Sequence, residues 1–257
     1  MTRSWTFTDL EFVVLWDRLR EDRLPHPFVY TTDIPYEDDF QREFVRVRDR
    51  LLSVPDPALD EALRDIARPD IAIRVLGVSG TTPDDPAGGL RLLATRRESR
   101  GHLLTQLPGR TLEHSGGFTI VECDALRLAD VVADALPECP AGQGPPLSLS
   151  APAEPDEESD VRLWDSHDEP VDARANAFLN VGPERAGVIE IAQGISRFGP
   201  RGRTVRHLHW RDHPDDGRYV ITPGQPALAR GADRAGLVAA INTELVAVVR
   251  AIKDERV

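Results

Sequence analysis

The chain has 257 residues, 40% hydrophobic and 29% charged, with 43 acidic against 31 basic side chains and a formal net charge of -12. Size scaling gives roughly 11,000 Å² of folded surface against about 41,000 Å² for the extended chain, enough burial for a core without disulfide or metal staples. So acidic a chain repels phosphate backbones and makes a poor nucleic-acid partner, and its 21 prolines and 19 glycines weigh against a simple helical bundle.

Trp5 and Phe7 alternate with polar neighbours, as in a short strand, and Thr8, Asp9, Leu10 and Glu11 form a capping pattern. A helix is expected over residues 9–22, burying Phe12, Leu15, Trp16 and Leu19, until Pro25 and Pro27 end it. HPFVYTT reads as extended. Phe40, Phe44, Val47 and Leu51, at offsets of four, three and four, predict an amphipathic helix with a charged outer face, and a shorter helix follows from Pro57 to Ala67.

Strand signals begin at IAIRVLGVSG, residues 71–80, and continue through LRLLAT, HLLTQLPG at 102–109 and GGFTIVECD at 116–124. A helix is expected at 125–136. The turns are too short for parallel crossovers, so these segments describe an antiparallel meander closed by a helix. Residues 137–160 are rich in Pro, Gly, Ser and acids, including Glu154, Asp156, Glu157, Glu158 and Asp160, and read as a linker. Beyond it come a helix between Pro170 and Gly182, strands near 187–195, 203–212 and 217–222, and a final helix from Asp233 to Lys253 with Leu237, Ile241, Leu245, Val248 and Ile252 as its stripe. The predicted fold is therefore α+β: two similar halves, 1–136 and 161–257, around an extended antiparallel sheet with flanking helices and a C-terminal helix. Sequence identity between the halves is too low to establish a duplication.

Cys123 and Cys139 fit two reduced thiols better than a disulfide scaffold. The N-terminus lacks a signal-peptide pattern and no segment approaches 18 uninterrupted apolar residues, which leads to the expectation of a cytoplasmic chain without a membrane span. Thirty of the basic residues are Arg and Lys253 is the single Lys, a coding bias rather than a ligand site.

HLHWRDH concentrates His207, His209, Asp212 and His213 within seven residues. On a strand the first two share a face, and Asp212 or His213 would have to approach from a turn to complete a metal shell. Sheet histidines and a turn carboxylate are the plainer reading. Asp216 and Gly217 suit a turn between strands, and Trp210, opposite His209, suits the core. The paired glycines at 88–89 and 116–117 lack the strand-to-helix context of a phosphate cradle, and Ser148 and Ser150 lie outside any nucleophile elbow. Nothing in the pattern assembles a catalytic centre or calls for a cofactor.

The opening WTFTDLEFVVLWDRLREDRLPHPF, the later GRTVRHLHWRDHPDDGRYVI and the amphipathic C-terminal helix together resemble the EspG, or type VII (ESX) secretion-associated, family, as a non-mycobacterial actinobacterial member. The likeness spans nearly the whole chain in diffuse blocks. It implies a pseudo-twofold α+β fold and a cytosolic chaperone or adaptor, not an enzyme. Mycobacterial relatives bind PE–PPE heterodimers near the helical tip of the PPE partner and keep them soluble before export. No short motif of the family maps residue by residue, so the candidate contacts rest on local character: Arg203, Arg206, Trp210, Arg218 and Tyr219 in the family-like block, and Glu244, Arg250 and Lys253 on the final helix. A soluble interaction protein unrelated to export is the alternative, a metal-dependent enzyme using His207 and His209 a more distant one. The sequence leaves a homodimer open.

Overall fold

Polar and apolar residues alternate in SWTF, and β1 (Ser4–Phe7) forms there as an outer strand. Thr8 and Glu11 close a full capping box at the start of α1 (Asp9–Asp17). This helix stops five residues short of expectation, because Leu19 and Arg20 bond back to the carbonyls of Trp16 and Asp17 and Arg20 turns to a φ of 57°. The computed structural model of the chain describes residues 2–21, 23–149 and 169–255.

HPFVYTT forms no strand; it crosses the sheet with Phe28 set edge-on to Phe118 and the Val29 N–H donating to Gln106 Oε1. Next come α2 (Glu37–Leu52) and α3 (Pro57–Ala67), the latter capped by Asp56, whose carboxylate accepts from the amides of Ala58 and Leu59. The meander is β2 (Ile71–Ser79), β3 (Leu90–Arg97), β4 (Arg100–Pro108) and β5 (Ser115–Asp124). Asp124 turns the chain by accepting from the Leu126 amide, so α4 (Leu128–Ala135) starts three residues later than expected.

In the segment expected to be a linker, 137–149 is built into the fold. The Arg218 amide donates to the Pro140 carbonyl and the Gly142 amide to the Arg218 carbonyl, and the chain then enters β6 (Leu147–Leu149), which pairs with a late strand. The rest of that linker, 150–160, lies outside the described residues. After α5 (Glu169–Asn180) a second meander follows: β7 (Arg185–Gln193), β8 (Val205–His213), β9 (Gly217–Thr222) and β10 (Ala227–Gly231), ending in α6 (Arg234–Asp254). Neither β6 nor β10 was expected from the sequence.

The ten strands form one antiparallel sheet in the order β1-β5-β4-β3-β2-β7-β8-β9-β10-β6. Each half runs from an outer strand through helical segments to a four-strand meander and a closing helix, and α5 stands before β7 as α3 stands before β2. The halves meet along β2 and β7, paired from Ile71 opposite Gln193 to Ser79 opposite Arg185. Both ends of this seam are built alike: the Gly80 amide donates to the Glu184 carbonyl and the Gly194 amide to the Asp70 carbonyl, each at 2.8 Å. Pro69, Asp70 and Gly80 thus recur as Pro183, Glu184 and Gly194, the mark of a pseudo-twofold axis through the middle of the seam.

Strand alternation divides the core in two. On one face Ile73, Val75, Ile189, Ile191, Leu208 and Trp210 pack under α4 and α6 in a cluster drawn from both halves. On the other, Phe12, Trp16, Leu63, Leu93, Leu104 and Phe118 pack under α1 and α3 within the N-terminal half. Phe12 stacks on Phe118 with ring centroids 4.2 Å apart.

Candidate protein-binding surface

Asp233 caps α6 by accepting from the Gly236 amide, and the helix seats Leu237, Ile241 and Val248 in the shared core. By length and composition α6 is apolar enough to cross a membrane. Here its buried stripe faces the sheet, and a second apolar side remains. Leu245, Val246 and Val249 face Ile71, Ala125, Leu126 and Leu128 across a groove of about 570 Å³, with Arg96, Arg250, Lys253 and Asp254 also lining it. Leu126 is 79% exposed and Val246 59%. Burying such side chains against a partner contributes roughly 1.5–3 kcal/mol each, and the cations favour a partner with carboxylates beside its apolar contact.

The outer face of the C-terminal half is polar. Glu190 joins Arg74, at 2.6 Å, to His207, at 3.5 Å, across three adjacent strands, and His209 is exposed beside them. Alternation along β8 puts His207, His209, Arg211 and His213 on this face and Leu208, Trp210 and Asp212 on the other. The proposed metal shell therefore does not assemble. Asp212 faces away from the histidines and is held by Arg218, Nε to Oδ1 at 2.7 Å and Nη2 to Oδ2 at 2.9 Å. His213 is enclosed by Phe178 and Tyr219. Among the described residues no group of three or more His, Cys, Asp or Glu side chains is placed to hold a metal ion.

Trp210, Arg218 and Tyr219 leave the set of candidate contacts, each being at most 4% exposed. The reason is that the sheet is covered on both sides at this point. Trp210 packs in the cluster under α6, with the Arg218 guanidinium 5.0 Å from its ring centroid, while Tyr219 meets Phe178 of α5 edge-on and donates to Asp216 Oδ2 at 2.6 Å. Glu244 is also buried, accepting from Arg206 Nε at 2.6 Å, so this pair ties α6 to β8. Arg250 and Lys253 reach the groove, and Arg203 is exposed in the β7–β8 connection.

Leu126 and Val246 were missed. Leu126 lies in a strand-to-helix turn, and Val246 lies off the stripe that marks the buried side of its helix. Both cysteines are free. Burial, with a smaller contribution from Asp124, pushes the Cys123 thiol up to about 11, and burial also raises Cys139. High pKa values leave both predominantly protonated and poor nucleophiles at neutral pH.

Fold and groove together define a pseudo-twofold α+β scaffold that presents an apolar, cation-rimmed cleft along its C-terminal helix. The chain belongs to the EspG family, whose family model matches residues 8–243. Among solved structures it is similar to the Mycobacterium tuberculosis type VII secretion system chaperone EspG5, determined in complex with the PE25–PPE41 dimer. The TM-score is 0.55 at 12% sequence identity, covering 95% of this chain and 96% of that one. No curated protein matches the chain.

Proposed function

We propose that this protein is a cytosolic type VII secretion chaperone that binds a helical substrate pair of the PE–PPE kind and keeps it soluble until export. Its membership of the EspG family, joined to an end-to-end fold likeness with a chaperone solved on its PE–PPE dimer, is the observation that carries this reading. The chemistry on the surface is of the same kind. An apolar cleft with a charged rim binds by shape and desolvation, and masking an aggregation-prone helical tip needs no bond to be made or broken.

In this reading the helical tip contacts the groove along α6, with Leu126 and Val246 as apolar anchors and Arg250 and Lys253 as rim contacts. Affinity-tagged full-length protein, recovered from native cytosol and analysed by mass spectrometry, is expected to bring down one small helical pair encoded near type VII machinery. Light scattering of the purified complex then gives its stoichiometry and shows whether the chain self-associates. Central apolar anchors typically contribute about 2 kcal/mol or more, so Leu126→Asp with Val246→Asp is expected to weaken binding by at least about thirtyfold. Recovery of no such pair by a folded bait, with the locus expressed, would overturn the chaperone reading and leave the family assignment standing.

A further inference from the structure

The pseudo-twofold axis supplies an internal control for one surface feature. The connection between β2 and β3, residues 80–89, and that between β7 and β8, residues 194–204, are counterparts, and each contains a short 3-10 turn opened by a proline, Pro86–Gly88 and Pro200–Gly202. The first carries Asp84 and Asp85, no cation and no large apolar residue. In the second stand Arg197, Arg201 and Arg203, no acid, and two bulky apolar side chains left in solvent, Ile195 at 66% and Phe198 at 69% exposure. The turn geometry does not require these side chains, since its counterpart forms without them.

The basic tip is also firmly held. Glu255, just past α6, accepts from Ser196 Oγ at 2.8 Å and from the Arg197 amide at 3.0 Å. Arg197 Nη1 donates to the Glu255 carbonyl, and Arg203 to the carbonyls of Pro200 and Gly194. Carbonyl partners orient the Arg203 guanidinium without cancelling its charge, while Arg197 is offset in part by the Glu255 carboxylate and Arg201 has no such partner among the described residues. Arg74, Arg206 and Arg218, in contrast, are each paired with a carboxylate. The connection itself holds three arginines and no acid, and Glu255 is the carboxylate bonded to it, so the tip carries a local excess of positive charge on a protein of net charge -12.

We propose that the β7–β8 tip is a peripheral docking site for an anionic lipid surface, with Phe198 and Ile195 entering the interface and Arg197, Arg201 and Arg203 meeting lipid phosphates. The proposal goes beyond the chaperone reading and does not depend on it. Apolar insertion and a cationic rim are the two signals that together give reversible membrane attachment, where either alone is marginal. The tip is the connection at one end of the β7–β8 hairpin, and the acidic remainder of the protein is repelled by the same surface, which orients contact through this end. An acidic protein segment is the competing occupant.

The test is flotation of the full-length protein with phosphatidylcholine vesicles, with and without phosphatidylglycerol, at physiological ionic strength. Binding is expected to the anionic vesicles, at least about tenfold above the zwitterionic ones. Phe198→Ser is expected to abolish it, and so is Arg201→Glu, while both variants keep the unfolding midpoint of the parent. The Phe198 ring meets the Arg197 guanidinium, 5.3 Å from its centroid, and both Phe198 and Arg201 are exposed, so the midpoint checks directly that the fold is kept. Equal flotation with both vesicle types, no flotation of the folded parent, or undiminished flotation of both variants would each overturn the proposal. Binding to polyglutamate without binding to anionic vesicles would also overturn it, and would assign the tip to an acidic protein segment.

Discussion

His102 and His213 are buried imidazoles that couple the stability of the fold to mildly acid pH. Burial lowers the pKa of both below the ordinary imidazole value. His102 also has Asp65, Glu122 and Glu61 pulling it back up and Arg100 pushing it further down, while His213 has Arg211 pushing down and Asp216 and Asp212 pulling up. His102 Nδ1 and His213 Nε2 are buried without a hydrogen-bond partner, so a proton added to either site has nothing to donate to. Both rings are therefore held toward the neutral form in the folded chain, whereas the unfolded chain takes up protons near pH 6.5. Stability from this source is complete above about pH 6.5 and is lost as the pH falls through the lower folded values. Carboxylates held low contribute in a separate window, below about pH 4: Asp56 by the Trp5 indole N–H, and Asp216 by the Gln143 amide. The expected result is a urea midpoint that falls between pH 7 and pH 5, with a slope that flattens in a His102→Gln, His213→Gln double variant. An unchanged slope in that variant would remove these histidines from the account.

At the scale of elements, α1 shows how a local signal becomes a tertiary one. Thr8 Oγ1 accepts from the Glu11 amide and Glu11 Oε2 accepts from the Thr8 amide, while Glu11 Oε1 also receives Arg50 of α2 at 2.7 Å. Thr8→Ala is expected to cost about 1 kcal/mol, read from denaturant unfolding, and Glu11→Ala to cost more because it also frees α2. Equal losses would show that the contact with α2 contributes nothing. The capping box was legible because all its parts lie within four residues, and α2 was legible through Phe40, Phe44, Val47 and Leu51. β6 and β10 were not. They are three and five residues long, bordered by Pro or Gly, and become strands only by pairing with one another and with β9, a non-local gain that no window along the chain contains. The same cause divides the candidate surface. Arg250 and Lys253 were readable as the polar end of an amphipathic helix, and the groove was not, because it exists only where α6 passes the corner between β5 and α4. Trp210 was read as facing opposite His209, but Arg218 and Tyr219 were read only as possible contacts, because nothing along the chain says that α6 covers one face of the sheet at Trp210 and Arg218 and α5 the other at Tyr219.

For the whole molecule the decisive contact is the seam between the halves. β2 and β7 pair along their full lengths, the core beneath α4 and α6 draws on both halves, and Arg234 at the start of α6 bonds to Asp130 and Asp134 of α4. Neither half can lose its fold without exposing the other's central strand and a shared apolar layer, so the chain is expected to unfold as one cooperative unit. The repeated seam makes this testable by symmetry. A Cβ on Gly80 would lie 1.9 Å from the Pro183 carbonyl oxygen, and a Cβ on Gly194 would lie 1.8 Å from that of Pro69. Both distances are far inside contact, and in each case the obstacle is backbone. Either alanine therefore forces the seam open at one end and strains the amide bond that closes it, at about 2–3 kcal/mol. If the two ends are equivalent parts of a single structure, Gly80→Ala and Gly194→Ala lower the unfolding midpoint by matching amounts and leave one transition in calorimetry, with van't Hoff and calorimetric enthalpies equal. If the halves were joined domains with separate stabilities, each substitution would split the transition, because the mutated end would release only the half whose meander begins there. Two resolved transitions, or a loss at one end without its match at the other, would show that the sheet is continuous in geometry without being continuous in energy.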